Sequence, residues 1–230
     1  MNQHLAKGII LSRTDYGEAD RIISVLTPEH GKLSLMARGV RRPKSKLAGG
    51  IELFSTADIT YLKGRGQIGA LISARLIKYY ANIVKDLDRV RLGYDLIKML
   101  NRATEDQPET EYFTLLEQTF NSLDDANVGL DLIRLWFQAQ LLKHAGHQPN
   151  LLTDTSGQNL TAGQTYNFDF EAMNFSPHQA GSFSADHIKT LRLLFSHNPP
   201  TSLQKVRGID QNLPPLSPLI QTVLTSYIRI

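Results

Sequence analysis

Lys32-Leu-Ser-Leu-Met-Ala-Arg-Gly-Val40 places Leu33, Leu35 and Ala37 on one face and Lys32, Ser34, Met36 and Arg38 on the other. A side-chain period of two is that of a half-buried β-strand. Reading toward the N-terminus, Asp20–Thr27 carries Ile22, Ile23, Val25 and Leu26 and ends in the turn Thr27-Pro-Glu-His-Gly31. Lys7–Arg13 encloses the short apolar run Gly8-Ile-Ile-Leu11. Reading toward the C-terminus, Phe54–Leu62 holds Phe54, Ala57, Ile59 and Tyr61 among the β-branched Thr56 and Thr60. Lys63-Gly-Arg-Gly66 is a hairpin-like turn, and Ile68–Ile77 supplies a last strand. Five strands separated by turn signals predict a small closed or nearly closed barrel over residues 4–80.

The period then changes to that of helices. Asn82–Ala103 carries Ile83, Leu87, Val90, Tyr94, Ile97 and Leu100, and Glu109–Leu123 repeats the spacing with Tyr112, Phe113, Leu116, Phe120 and Leu123. Asn127–Ala145 follows with Val128, Leu132, Leu135, Trp136, Ala139 and Leu142, and Gly146 stands where a helix C-cap belongs. Residues 147–183 are rich in Gly, Asn, Thr and Gln, and the alternation Tyr166-Asn-Phe168-Asp-Phe170 predicts one strand of a small β excursion. A further helix is expected at Ser184–His197 with Ser184 as N-cap, and a last one from Ser217-Pro218 to about Tyr227. The fold class is therefore α+β: a barrel over residues 1–80, then a helical domain over 81–230 that includes the insertion at 147–183.

The chain has 230 residues, 41% of them hydrophobic, which is enough for a packed core and excludes disorder throughout. It contains no cysteine, so disulfides, thiolate nucleophiles and cysteine-ligated zinc are excluded. No run approaches the roughly 20 apolar residues of a membrane-spanning helix, and Met1–Lys7 is polar, so a cytoplasmic location away from membranes is expected. The net charge of +3 is unevenly spread: residues 1–80 carry 13 Lys and Arg against 6 Asp and Glu, whereas 81–230 carry 12 against 16. A basic first third points to a polyanionic partner.

The strongest local feature is Arg38-Gly-Val-Arg-Arg-Pro-Lys-Ser-Lys46, five basic residues in nine with no acid. Gly39, Pro43 and Gly49-Gly50 mark it as a loop leaving a strand. Such a loop can follow a phosphate backbone and release counterions, and five-stranded barrels bind nucleic acid with a basic groove and aromatic platforms. Asp15-Tyr-Gly-Glu-Ala-Asp-Arg21 is read as an acid-capped turn needing an unusual backbone angle at Gly17, with Arg21 or a neighbouring base pairing the acids and Glu18 fixing the loop. The rival reading is a magnesium site on Asp15, Glu18 and Asp20 of a nucleic-acid-processing enzyme. Among seven histidines, His147, His178 and His187 are the set that convergence would make a metal site, but the usual ligand spacing is lacking. His144 reads as a cation favoured by a helix C-terminus.

Gly64-Arg-Gly-Gln-Ile-Gly69 matches a dinucleotide fingerprint only formally, because it joins two strands and opens no helix. No phosphate-binding loop or nucleophile elbow is present, so no catalytic residue and no cofactor are expected. Trp136 reads as core. Its rival role is in a groove for a partner's hydrophobic tail, with Arg134 or Lys143 meeting a carboxylate. An RNA-binding or ribosome-associated barrel protein would use the same basic loop.

Three runs, Asp15-Tyr-Gly-Glu-Ala-Asp-Arg-Ile22, Leu26-Thr-Pro-Glu-His-Gly-Lys32 and Ala37-Arg-Gly-Val-Arg-Arg-Pro-Lys-Ser-Lys-Leu47, closely resemble the bacterial recombination mediator family RecO in order and spacing. Phe54, Leu141-Leu142, Gly146 and Pro149 extend the likeness along the chain. The resemblance implies an N-terminal oligonucleotide-binding (OB) fold, a helical domain, and often a zinc module with four cysteines. Here the module's positions would fall at Thr153, Ser156, Ser184 and His187, so it implies a metal-free segment held by its own aromatic packing. The implied function is to bind single- and double-stranded DNA and anneal complementary strands in the RecFOR pathway of DNA repair, associated with the nucleoid. The implied partners are the single-strand-binding protein through its acidic C-terminal tail, RecR, and indirectly RecA. The basic positions that carry over are Lys32, Arg38, Arg41, Arg42, Lys44 and Lys46.

Overall fold

A computed structural model describes residues 3–64, 66–104 and 110–228. Arg65 in the predicted turn and Glu109 at the predicted start of the second helix lie outside the described residues. The barrel is built from β1 (Gln3–Tyr16), β2 (Asp20–Thr27), β3 (Gly31–Ala37), β4 (Ser55–Leu62) and β5 (Ile68–Tyr79). Its strand order is β1-β2-β3-β5-β4, closed by β1 pairing antiparallel with β4. The β3–β5 pair is parallel, with Leu35 opposite Gly69. A closed five-stranded barrel of this connectivity is an OB fold. Inward residues of every strand, among them Ile10, Ile23, Leu35, Ile59 and Leu71, form its core.

Two strands are longer than their apolar runs predict. β1 reaches 14 residues and β5 reaches 12, and both carry register shifts, at Ile10/Ser12 in β1 and twice along the β4–β5 ladder. Bulges let one strand bend and pair with two neighbours around a small barrel, which is why polar flanks such as Thr14-Asp15-Tyr16 remain in the sheet.

The helices are α1 (Leu87–Ala103), α2 (Thr110–Asp124), α3 (Leu130–His144), α4 (Ala185–Leu194), the single turn α5 (Pro200–Leu203) and α6 (Ile209–Tyr227). The chain gathers into two compact units, residues 1–124 and 125–230. In the first, α1 and α2 associate with the barrel. Asp86 caps α1 by accepting from the backbone N–H groups of Asp88 and Arg89. Phe54, held at φ 56°, is buried against Tyr94 of α1 and Phe120 of α2, both at 5.4 Å between ring centroids. Gly93 makes this possible, since a Cβ there would lie 2.6 Å from the Phe54 ring. Lys7 of β1 adds an ion pair to Glu117 of α2 at 2.6 Å.

In the second unit α3 and α4 pack against α6. Gly146 and His147 end α3 by donating to the carbonyls of Lys143 and Leu142, the paired bonds of a Schellman motif. Ser184 caps α4, with His187 Nδ1 returning the bond to the Ser184 N–H. The insertion forms a three-stranded sheet of β6 (Thr165–Asp169), β7 (Asn174–Pro177) and β8 (Phe183–Ser184), in the order β7-β6-β8.

The last helix corrects the sequence reading. It starts at Ile209, after Gly208, and contains Pro214, Pro215 and Pro218. The three prolines are exposed, while Ile209, Leu213, Leu216, Ile220 and Val223 line the buried face. Burial of that stripe offsets the lost N–H donors, so tertiary packing overrides the local penalty. Among the described residues no helix is long and apolar enough to cross a membrane.

Candidate nucleic-acid interface

The basic loop begins where β3 leaves the barrel, and the β1–β2 hairpin fixes it. Asp20 accepts the Gly39 N–H at 2.7 Å, and the Arg41 N–H donates to the Ala19 carbonyl at 2.9 Å. Turn bonds from Arg42 N to Gly39 O and from Ser45 N to Arg42 O then coil the segment. Gly17 supplies φ +57° at the hairpin tip, as the sequence requires.

The side chains divide by role. Arg38, Arg42, Lys44 and Lys46 are exposed. Arg41, also exposed, folds back: its guanidinium donates to the Gly17 carbonyl and lies 3.5 Å from Asp15. Asp15 also accepts from Arg21 at 2.7 Å, and this bond, then the nearby charge of Arg41, holds its carboxyl below the usual carboxylate range. Asp15 and Asp20 are thus committed to pinning the loop, and Glu18 is exposed at the tip.

Lys32 lies at the opposite end of β3, about 20 Å away along an extended strand. Its ammonium donates to the carbonyls of Asn101 and Thr104 at the C-terminus of α1, a cation stabilising unsatisfied helix carbonyls. Near it a cavity of about 580 Å³ opens on the β2–β3 face, lined by Ser24, Ser34, Lys63 and Gln67 over Leu35 and Tyr61. His30, at its rim, meets a ring pair edge-on: His4 stacks on Tyr61 at 5.3 Å, and His30 stands 5.9 Å and 6.2 Å from the two. Burial, then the nearby charge of Glu29, pushes the Tyr61 phenol up, so it stays protonated at neutral pH. His30 lies on the β2–β3 turn and Lys63 and Gln67 on the β4–β5 turn, two turns that only barrel closure brings together, so the linear sequence does not group them.

The proposed partner-binding residues separate. Trp136 is 1% exposed inside the second unit, and among the described residues its indole N–H has no hydrogen-bond partner. Lys143 donates to the Phe195 carbonyl at 2.9 Å. Arg134, nine residues earlier on α3 and about 13 Å away along the axis, lines a separate pocket of about 240 Å³ with Leu135, Leu213, Pro214, Asp131 and Asp210.

Two family models cover nearly the whole chain: Recombination protein O N terminal matches residues 1–80, and Recombination protein O C terminal matches 84–230. The chain belongs to the RecO family. It is 34% identical to the DNA repair protein RecO of Halalkalibacterium halodurans over 149 residues, 64% of this chain and 58% of that protein. Against the DNA repair protein RecO of Myxococcus xanthus it is 31% identical over 150 residues, 65% of this chain and 61% of that protein. The DNA repair protein RecO of Alkaliphilus metalliredigens matches at 26% over 229 residues, 97% of this chain and 92% of that protein. The first two matches thus span less than two thirds of those relatives' length.

The RecO zinc module finds no fit here. The four positions offer three hydroxyls and one imidazole, not a zinc donor set. Each is also engaged: Ser156 donates to Asp154 at 2.6 Å, Thr153 hydrogen-bonds Asn150, and Ser184 and His187 close the cap of α4. His147 stacks on Tyr227, and among the described residues no three His, Cys, Asp or Glu gather as a metal site. Phe175 meets Phe168 at 5.0 Å and Phe183 at 5.8 Å, so aromatic contacts hold the sheet together.

Asp154, 4% exposed, organises the neighbouring turn by accepting from Ser156 N, Ser156 Oγ and Gln158 N. The Ser156 hydroxyl first, and then backbone N–H groups, hold its carboxyl below the usual range against the opposing effect of burial. A depressed folded pKa stabilises fully above the unfolded value near ~3.9 and loses that contribution as pH falls through the folded value. Asp154→Asn is therefore expected to lower the thermal midpoint at pH 6, with the gap to the parent closing as pH falls below about 4. A gap that is constant from pH 6 to acid would contradict this assignment.

Proposed function

We propose that this chain is a non-enzymatic DNA-repair mediator that binds single- and double-stranded DNA and anneals complementary strands. With RecR, it would help load RecA onto DNA coated by single-strand-binding protein. The observation that carries the reading is the pinned basic loop on the OB barrel, four of whose cations, Arg38, Arg42, Lys44 and Lys46, project into solvent. Annealing requires repulsion between two phosphate backbones to be screened while base edges stay free. A sequence-blind cationic loop does this, whereas a base-reading groove would compete with the second strand. Names of relatives as DNA repair proteins support the same reading.

The single-strand-binding protein would dock its acidic C-terminal tail on the second unit. Of the three residues singled out for that contact, Arg134 has the geometry that favours it. Its pocket joins a cation to the apolar Leu135, Leu213 and Pro214, while Asp131 and Asp210 in the same lining oppose the approach of a carboxylate. Annealing of labelled complementary DNA strands, naked or coated with single-strand-binding protein, tests the function. The expected result is acceleration on both, without nucleotide or metal. Acceleration on naked strands alone would remove the docking half. Acceleration confined to paired RNA strands would replace the reading with an RNA-binding one.

A further inference from the structure

Two of the three acids in the hairpin segment Asp15–Asp20 lie against the basic loop, where a count of charges alone would make them a liability for binding a polyanion. Asp15 is balanced by Arg21 and Arg41. Asp20 makes a different contact. Half-buried at the first residue of β2, it accepts the backbone N–H of Gly39 at 2.7 Å, the length of a charge-assisted bond. Gly39, at φ +62°, is where the chain turns away from the line of β3, and its carbonyl accepts from the Arg42 N–H at 3.2 Å. The Asp20 bond therefore fixes the residue from which the coil carrying Arg41 to Lys46 hangs. The Arg41 N–H, bonded to the carbonyl of Ala19 next to Asp20, holds the following turn. Cations on this coil repel one another, and a loop without its anchor would spread them over many arrangements that a bound phosphate backbone must then order.

We propose that Asp20 is a positioning residue for phosphate-backbone binding: by holding the Gly39 N–H it presents Arg38, Arg42, Lys44 and Lys46 already placed, so an acid beside the site raises the site's affinity for DNA. The proposal rests on the DNA-binding reading of the loop and adds the source of the loop's order. It also gives one carboxylate of the acidic hairpin a role in the binding step. Asp20 touches no phosphate and acts through the loop. Loss of the anchor leaves all four cations on the chain, so the number of phosphates neutralised, and with it the salt slope, is kept while affinity falls at every salt concentration.

The test uses two substitutions in the full chain that remove the same charge. Asp20→Asn keeps an oxygen able to accept the Gly39 N–H, and Asp20→Ala keeps none. Affinity for a short fluorescent single strand and for a duplex of the same length is read by anisotropy across a salt series, with thermal unfolding checking that each protein is folded. The Asn variant is expected to bind at least as tightly as the parent. The Ala variant is expected to bind about tenfold more weakly than the Asn variant, with an unchanged salt slope. When Arg38, Arg42, Lys44 and Lys46 are all replaced by Gln, adding Asp20→Ala is expected to weaken binding no further, because the anchor acts only through those side chains. Equal affinities of the Asn and Ala variants, or an effect of Asp20→Ala that persists in full without the four cations, would overturn the positioning role while DNA binding stands. If Asp20→Ala does not fold, Asp20→Ser takes its place, with its oxygen on a shorter arm, and binding as tight as that of the Asn variant would again overturn the role. A parent chain that binds neither strand nor duplex would overturn the DNA-binding reading and the positioning role with it.

Discussion

Replacing Arg38, Arg42, Lys44 and Lys46 together by Gln is expected to flatten the salt dependence of DNA binding by about three units of log–log slope. Each phosphate contact contributes about 0.7 to 0.9 to that slope, the lower figure for single strands. At 0.15 M salt the same loss corresponds to roughly 300-fold weaker binding, somewhat less for single strands and more for duplex. Arg41 is left in place because it ties the loop to Asp15 and to the Gly17 carbonyl, so its removal would mix loss of charge with loss of shape. The four substituted side chains are exposed, and surface changes of this kind cost little stability. Fluorescence anisotropy across a salt series reads the slope. An unchanged slope in a folded variant would place the DNA elsewhere on the chain.

Trp136→Ala is expected to destabilise the second unit by about 3–5 kcal/mol, the cost of emptying a large aromatic site in a packed core. The side chain is wholly enclosed on a helix whose positions 135–142 are all buried. Trp136→Phe should cost much less, because it keeps most of the volume and removes the buried N–H that has no partner among the described residues. Chemical denaturation of both variants measures the difference. A Trp136→Ala protein as stable as its parent but unable to bind a partner's tail would return Trp136 to the docking surface.

How much of this was readable in the linear chain follows from where the signal lay. β2 fell on its predicted residues because Ile22, Ile23, Val25 and Leu26 are bounded by an acidic turn and by Thr27-Pro28. β1 and β5 ran past their apolar runs because bulges, which leave no mark in a hydrophobic period, keep polar flanks in the ladder. The basic loop was visible as a cluster, but its internal division was not. That Arg41 serves as a clip depends on Asp15, 26 positions away and brought close by the β1–β2 hairpin. Lys32 lies next to the loop in sequence and yet serves α1, because an extended strand separates its two ends by the width of the barrel. The start of α6 was misplaced because its prolines speak locally, whereas the stripe from Ile209 to Val223 is satisfied only by packing against α3 and α4.

The proposed role of the pinned loop is to screen two DNA backbones so that complementary bases can meet. Its most direct test is the annealing rate of two fluorescently labelled complementary DNA strands at 0.15 M salt, without nucleotide or metal, with the parent chain and with the four-fold loop variant. The expected result is acceleration by the parent and a rate near the protein-free one with the variant. Annealing by the variant as fast as by the parent, or no acceleration by either folded protein, would contradict the account.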